Sequence, residues 1–288
     1  MKTYTLLIGN ICFIISSLLV LGLISCKKDD PGTKSKTPIW VYRTDGDPYQ
    51  SKPCVAGDKV IFYTSNDTSG GKNAYCINRN TGNLIWKTYD SLSQMVMSPV
   101  VYNDLVISGG INPHALYLSN GTQAWKYRDG TIPYSLYNNP LLVGDAVYFA
   151  SYISVTKHVA SNGSLIWETE GEHFWTNLRN SRIVYNNGKL YFGDASQNRI
   201  TSFFESSGLI DWFVTVEKPF ANIPAVTDNE IFIGIQDSDI DTKTLRCLNL
   251  ADQTEKWGVK LGVIFSDVVV VAEKVYAIGM TTLHCRSA

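Results

Sequence analysis

The sequence predicts an all-β chain folded as a six-bladed β-propeller of four-stranded antiparallel blades, and three observations predict it. Six tryptophans, Trp40, Trp86, Trp125, Trp167, Trp212 and Trp257, fall at spacings of 46, 39, 42, 45 and 45 residues. A period in the low forties marks one sheet unit repeated along the chain. Five of these tryptophans close a recurring phrase: NTGNLIW at 80–86, SNGTQAW at 119–125, SNGSLIW at 161–167, SSGLIDW at 206–212 and ADQTEKW at 251–257. No stretch of useful length after residue 25 has the helical period, so the repeated unit is built from strands.

Each unit reads as four strands. The first is often opened by a proline, as at Pro53, Pro99, Pro140 and Pro224, a residue tolerated at the start of a strand but not inside a ladder. A turn pair then leads into a β-branched and aromatic run, the second strand. These pairs are Gly57-Asp58, Asn103-Asp104, Gly144-Asp145, Asn187-Gly188, Asp228-Asn229 and Ala272-Glu273. Two-residue loops of this composition between apolar runs are a strong hairpin signal. The third strand follows, as AYCINR at 74–79, ALYLS at 115–119 and TLRCLNL at 244–250. Asn-Gly and Ser-Gly in the phrase supply the positive φ of a tight turn, so the phrase is a turn and then a fourth strand ending in tryptophan.

The last unit, VVVVAEKVYAIGMTTLHCRSA at 268–288, has three strands, and PIWVYR at 38–43 carries the leading tryptophan without a unit of its own. Pairing of residues 38–43 with the strand near 282–286 is therefore expected to complete the sixth blade. That closure would remove a sheet edge open to aggregation. The propeller domain is expected over residues 37–288.

The phrase of glycine, apolar pair and tryptophan resembles the repeats of PQQ-like, quinoprotein-type β-propellers, and the resemblance covers residues 38–288. It implies that each tryptophan docks against the neighbouring blade. Propellers of this kind serve dehydrogenases, outer-membrane assembly lipoproteins and sensor domains, so the resemblance carries fold rather than activity. The quinone dehydrogenases have eight blades, a calcium site and an adjacent cysteine pair. This chain has six units and no Cys-Cys pair, so no cofactor is expected.

The first 25 residues read as a targeting segment: Met1-Lys2, an apolar run from Leu6 to Ile24, then Leu23-Ile24-Ser25-Cys26. The tetrad resembles the lipobox of bacterial lipoproteins, in which the cysteine is lipidated and becomes the new N-terminus. The run also approaches the ~20 residues that a membrane-spanning helix needs, but cysteine followed at once by KKDDPGTKSKT favours the lipoprotein. The expected organisation is a signal peptide over 1–25 and a lipidated Cys26 with a polar tether over 26–36. Lys27 after the cysteine is compatible with passage to the outer membrane, and KKDD resembles the export signals of surface-exposed lipoproteins. The membrane, through this lipid anchor, is thus one expected partner. A net charge of −1 gives no bulk attraction to nucleic acid, and the propeller is expected to be monomeric.

Without Cys12 and Cys26 the propeller keeps Cys54, Cys76, Cys247 and Cys285. Cys76 and Cys247 stand at equivalent third-strand positions, and Cys285 takes the same place in the last unit. This points to small buried slots, with a bridge involving Cys54 left open. Histidines 114, 158, 173 and 284 have no short metal-ligand spacing, so no metal site is expected from them. His158 and His284 read as strand residues, His114 and His173 as loop residues. Asp237, Asp239 and Asp241 alternate as in the start of a calcium loop, but the turning glycine and closing glutamate are absent, which favours a solvated acidic hairpin.

Loops from the fourth strand into the next blade open on the same face as loops between second and third strands. In the segment EGEHFWTNLRN, Phe174 and Trp175 break the register of the repeat, as does Tyr134 in another loop. Loop aromatics on a rigid scaffold are a common means of gripping a partner. Tyr134, His173, Phe174, Trp175 and Arg179 are the expected ligand-binding residues, with no catalytic residue assigned. The expected function is a non-enzymatic outer-membrane or cell-surface lipoprotein binding a protein partner or a glycan. The alternative is a hydrolase or lyase acting on a polysaccharide from the His173 loop.

Overall fold

The computed structural model describes residues 38–46, 51–65, 72–93, 98–128, 139–151, 153–170, 183–194, 198–218, 224–235, 237, 239, 242–264, 266–279 and 282–287. Trp40–Ala288 forms one compact unit, and its described regular structure is all β. Blade 1 comprises β1 (Cys54–Ala56), β2 (Lys59–Ser65), β3 (Lys72–Asn78) and β4 (Leu84–Asp90). Blade 2 is β5 (Val100–Tyr102), β6 (Leu105–Ser108), β7 (His114–Tyr117) and β8 (Gln123–Lys126). Blade 3 is β9 (Leu141–Val143), β10 (Ala146–Ala150), β11 (Ser154–Val159) and β12 (Leu165–Glu170). Blade 4 is β13 (Ile183–Asn186), β14 (Lys189–Asp194), β15 (Arg199–Phe204) and β16 (Ile210–Thr215). Blade 5 is β17 (Ala225–Val226), β18 (Glu230–Gly234), β19 (Leu245–Asn249) and β20 (Glu255–Val259), and blade 6 is β21 (Val269–Val271), β22 (Lys274–Ile278) and β23 (Leu283–Ser287).

Within every blade the strands pair antiparallel in chain order. In blades 1, 2, 3 and 5 the first strand begins on the residue after the proline, where its missing N–H costs the ladder nothing. The hairpin turns take the backbone their residues favour: Gly57, Asn103, Gly144, Asn187 and Gly188 all have positive φ. Blade 6 reaches the same turn with Ala272 and Glu273, at φ of 46° and 59°. There the pairing of β21 with β22 imposes a backbone that the residues themselves disfavour.

In blades 1 to 5 the second and third strands are largely buried on both faces, whereas the fourth strands expose about half of their residues; β22 and β23 of blade 6 are more exposed. The core accordingly lies between blades. Ile61, Tyr63, Cys76 and Trp86 of blade 1 pack with Val106, Leu116 and Leu118 of blade 2, and four more such clusters join the successive pairs through blade 6. First strands touch in the order β1, β5, β9, β13, β17, β21. This is the six-bladed propeller that the repeat predicts.

The tryptophan phrase is the joint between blades. The indole N–H of Trp86 donates to Leu118 O at 2.9 Å, that of Trp125 to Ala160 O at 3.2 Å and that of Trp167 to Glu205 O at 3.0 Å. Each ring lies flat on the turn glycine of the next blade. A Cβ added to Gly121, Gly163 or Gly208 would stand 2.5–2.6 Å from a ring atom, and all three have φ of 73°. Glycine is required there twice over, by backbone conformation and by ring contact. A register shift in the third-to-fourth strand ladder recurs in blades 1 to 5, one residue after the third-strand partner of the tryptophan. No residue pattern in the sequence signals this bulge.

The expected pairing of residues 38–43 with 282–286 is not among the ladders. Residues 40–44 carry no strand, and blade 6 is a three-stranded sheet. The reason lies in the anchors of the leading segment, which are on blade 1. Asp45 accepts from Tyr75 and Lys87, and Tyr42 meets Tyr75 edge-on at 6.0 Å. Trp40 nevertheless makes the standard joint: its N–H donates to Arg79 O at 2.7 Å, and its ring covers Gly82.

All four propeller cysteines are free thiols. Cys76 and Cys247 are fully buried opposite Ile61 and Phe232, and Cys285 holds the equivalent place opposite Tyr276 but is half-buried. Burial pushes the Cys76 and Cys247 thiols up to about 11.

Candidate functional site

The face bearing the fourth-to-first and second-to-third strand loops is held by charged and polar contacts that bridge neighbouring blades. Asp90, the last residue of β4, meets His114, the first residue of β7, with Oδ2 2.6 Å from Nε2. Asp90 Oδ1 also accepts from the backbone N–H of Leu92 and Ser93, at 3.0 and 3.3 Å. His114 Nδ1 lies 2.8 Å from Asn112 O. Carbonyl and carboxylate oxygens only accept, so both ring nitrogens must donate and His114 is an imidazolium. Burial opposes that charge, but the Asp90 carboxylate and the Asn112 carbonyl outweigh it and raise the imidazole pKa above its ordinary value. Asp90 is likewise opposed by burial, yet His114 and the Leu92 N–H hold its pKa below the usual carboxylate value.

His114 was expected in a loop and instead opens a strand, fully buried. Its partner lies 24 residues away on another blade, a relation that no local pattern reports. His158, expected in a strand, is there and fully buried. It contacts Gly163 O and Thr156 Oγ1 and packs edge-on against Tyr127 at 4.4 Å. Burial lowers its pKa to about 4, so it is neutral.

Two further ion pairs among the described residues bridge blades on this face. Arg128, at φ of 66°, pairs with Glu168 across the joint of blades 2 and 3. Lys218 pairs with Asp237 at 3.1 Å across the joint of blades 4 and 5. Asp237 also accepts from Thr242 Oγ1 at 2.7 Å and from the Asp239 N–H at 3.1 Å. With Thr242 as the largest cause, its pKa falls to about 2. Both oxygens of Asp237 are thus in use within its own loop and by Lys218, while Asp241 lies outside the described residues. Among the described residues no cluster of three or more His, Cys, Asp or Glu side chains could hold a metal ion.

The expected ligand-binding residues Tyr134, His173, Phe174, Trp175 and Arg179 all lie outside the described residues, as does Cys26. The surrounding elements fix only which connections carry them. Residues 129–138 follow β8 and precede β9, and residues 171–182 join β12 to β13. Both are fourth-to-first strand connections of adjacent joints, blade 2 to 3 and blade 3 to 4.

A family model described as outer membrane protein assembly factor BamB matches residues 32–173. The repeats are those of the PQQ-like propeller family. The match spans the leading tryptophan and the first three phrases of the PQQ-like propeller. BamB from Moraxella catarrhalis is similar in structure, with a TM-score of 0.66 and 18% identity, over 86% of this chain and 71% of that one. A computationally designed protein, Ika8, is similar with a TM-score of 0.62 and 11% identity, over 83% and 70% of the two chains. At such identities the structural likeness speaks to the fold alone. No curated protein matches the sequence.

Proposed function

We propose that this chain is a lipid-anchored, non-enzymatic propeller of the bacterial outer membrane that binds a protein partner across its loop-bearing face. The observation that carries the proposal is the match of residues 32–173 to the BamB assembly-factor model, joined to the lipobox-like Leu23-Ile24-Ser25-Cys26 just ahead of it. Binding without turnover is supported by the described charges of that face. Asp90, His114, Arg128, Glu168, Lys218 and Asp237 are all engaged with one another across blade joints, so they serve to hold the scaffold. A rigid scaffold with variable loops is the arrangement that binding proteins use. Tyr134, Phe174 and Trp175 are the proposed anchors, with His173 and Arg179 as further proposed contacts.

The test is photo-crosslinking of the anchored protein in intact envelopes, followed by affinity measurement with the purified partner. Trp175→Ala should weaken that affinity by about 2 kcal/mol, roughly thirtyfold, as truncation of a seated aromatic anchor does. Unchanged affinity per folded molecule would remove this face from the assignment. Turnover of a polysaccharide that disappears in His173→Ala would replace binding by the hydrolase or lyase reading.

A further inference from the structure

We propose that the cleft between blades 4 and 5, on the face of the hairpin turns, is a binding site for a neutral saccharide. This face is opposite the loop-bearing one, because in an antiparallel meander the first-to-second and third-to-fourth turns share one end of the blade. The cleft is a cavity of about 380 Å³, within the range of small-molecule sites.

Its origin is a departure from the repeat. In the joints of blades 1 to 3, the turn glycine of the next blade lies against the tryptophan and a backbone carbonyl receives the indole N–H. Blade 5 places Gln253 where that glycine belongs, at φ of 60°. A Cβ cannot occupy the 2.5–2.6 Å approach that the glycines allow, so the blade 5 turn cannot close on Trp212. The carbonyl that should receive the indole, Leu250 O, accepts instead from Gln253 Nε2 at 2.9 Å. Trp212 itself has not shifted on its own blade. It meets Tyr191 at 6.0 Å and 52°, as Trp167 meets Tyr148 at 6.2 Å and 50°. The space therefore opens between the ring and the next turn, and among the described residues the Trp212 N–H makes no hydrogen bond. Trp257 also lacks this bond, but blade 6 offers it no turn phrase to close against it.

The walls define the ligand class. Trp212 and Tyr191 supply an aromatic side, suited to the apolar face of a sugar ring. Opposite, Asn187 Nδ2 donates to Asp228 Oδ1 at 2.9 Å across the blade joint. That bond orients the two groups and leaves Asn187 Oδ1 and Asp228 Oδ2 as acceptors for hydroxyls. Lys189 is the single cation of the lining, and it is held by Asp211 at 2.7 Å. With one cation against two carboxylates, the site repels phosphates and uronates. Both carboxylates already have partners, so neither requires a cationic ligand. Paired planar acceptors, an indole donor and an aromatic wall suit a polyhydroxyl ring without charge.

The experiment is a ligand-observed NMR screen and a tryptophan-fluorescence titration of the full propeller. The probes are methyl glucosides, galactosides and mannosides, maltose and cellobiose, with glucuronate and glucosamine as charged counterparts. A neutral probe is expected to bind, and Asp228→Ala to weaken it about tenfold, as loss of a hydrogen bond to a charged acceptor does. Gln253→Gly should restore the glycine joint, close the cleft and abolish binding, with melting temperature confirming that both variants fold. Trp175→Ala should leave sugar binding intact, which separates this site from the loop-face reading. The proposal is overturned if no neutral probe binds, if binding survives both Asp228→Ala and Gln253→Gly, or if a charged counterpart binds more tightly.

Discussion

Asp90 and His114 concentrate at one point the charge that the rest of the core avoids. A buried ion pair is a weak source of net stability, but removing one member strands the other charge, at a cost of about 3–5 kcal/mol. Asp90→Ala and His114→Ala should each lower stability by that order. The pair also dictates a pH profile. His114 has a folded pKa raised above its ordinary 6.5, so its contribution is complete below that value and is lost as pH rises through the folded one. Asp90 is held below its ordinary 3.8, so its contribution is complete above that value and is lost as pH falls through the folded one. Tyr63, also fully buried beside the pair, stays neutral because burial pushes its phenol well above the ordinary value. Thermal melts should therefore show a plateau between the two ordinary values and a decline on the alkaline side. That alkaline decline should flatten in the double variant Asp90→Asn, His114→Gln. A wild type with no alkaline decline beyond that of the double variant would contradict the imidazolium.

At the scale of the blade, the unit of cohesion is a tryptophan on a glycine. Gly163→Ala meets two penalties: a left-handed backbone, costing about 1–2 kcal/mol, and a Cβ 2.5 Å from the Trp125 ring. Gly57 has a similar φ but open space around it, so Gly57→Ala incurs only the first. Urea unfolding should give a clearly larger loss for Gly163→Ala, and equal losses would mean that the ring contact contributes nothing. Trp125→Ala, which removes a largely buried ring, should cost about 3–5 kcal/mol.

This is also the scale at which the sequence was most legible. The phrase repeats because every joint needs the same turn and the same ring, and the prolines mark first strands because an N–H is dispensable there. Departures from the phrase were legible as letters but not as consequences. Gln253 was visible in place of a glycine, yet the cleft that follows depends on Leu250, Asn187 and Asp228 from two blades. Trp40 makes the tryptophan joint that its place in the repeat implies, on Gly82 of blade 1. Its strand did not follow, because the anchors Tyr75 and Lys87 act through side chains on blade 1.

For the whole molecule, the proposed membrane attachment can be tested apart from the propeller. The whole chain's net charge of −1 offers no bulk electrostatic attraction to an anionic surface. The proposed attachment is through the segment ahead of the propeller, where an acyl-bearing Cys26 would gain about 0.8 kcal/mol per buried methylene. One acyl chain alone binds marginally and two or more bind stably, so retention is a sensitive readout of lipidation. Cys26→Ser should block lipidation and keep the protein from anchoring at the outer membrane in fractionation. The melting temperature of the propeller should not change, because the compact unit begins at Trp40. Mass spectrometry of the native N-terminus provides the decisive observation: a chain starting at a lipidated Cys26 supports the anchor. A chain retaining residues 1–25 without a lipid means that the apolar run from Leu6 to Ile24 is itself the membrane attachment.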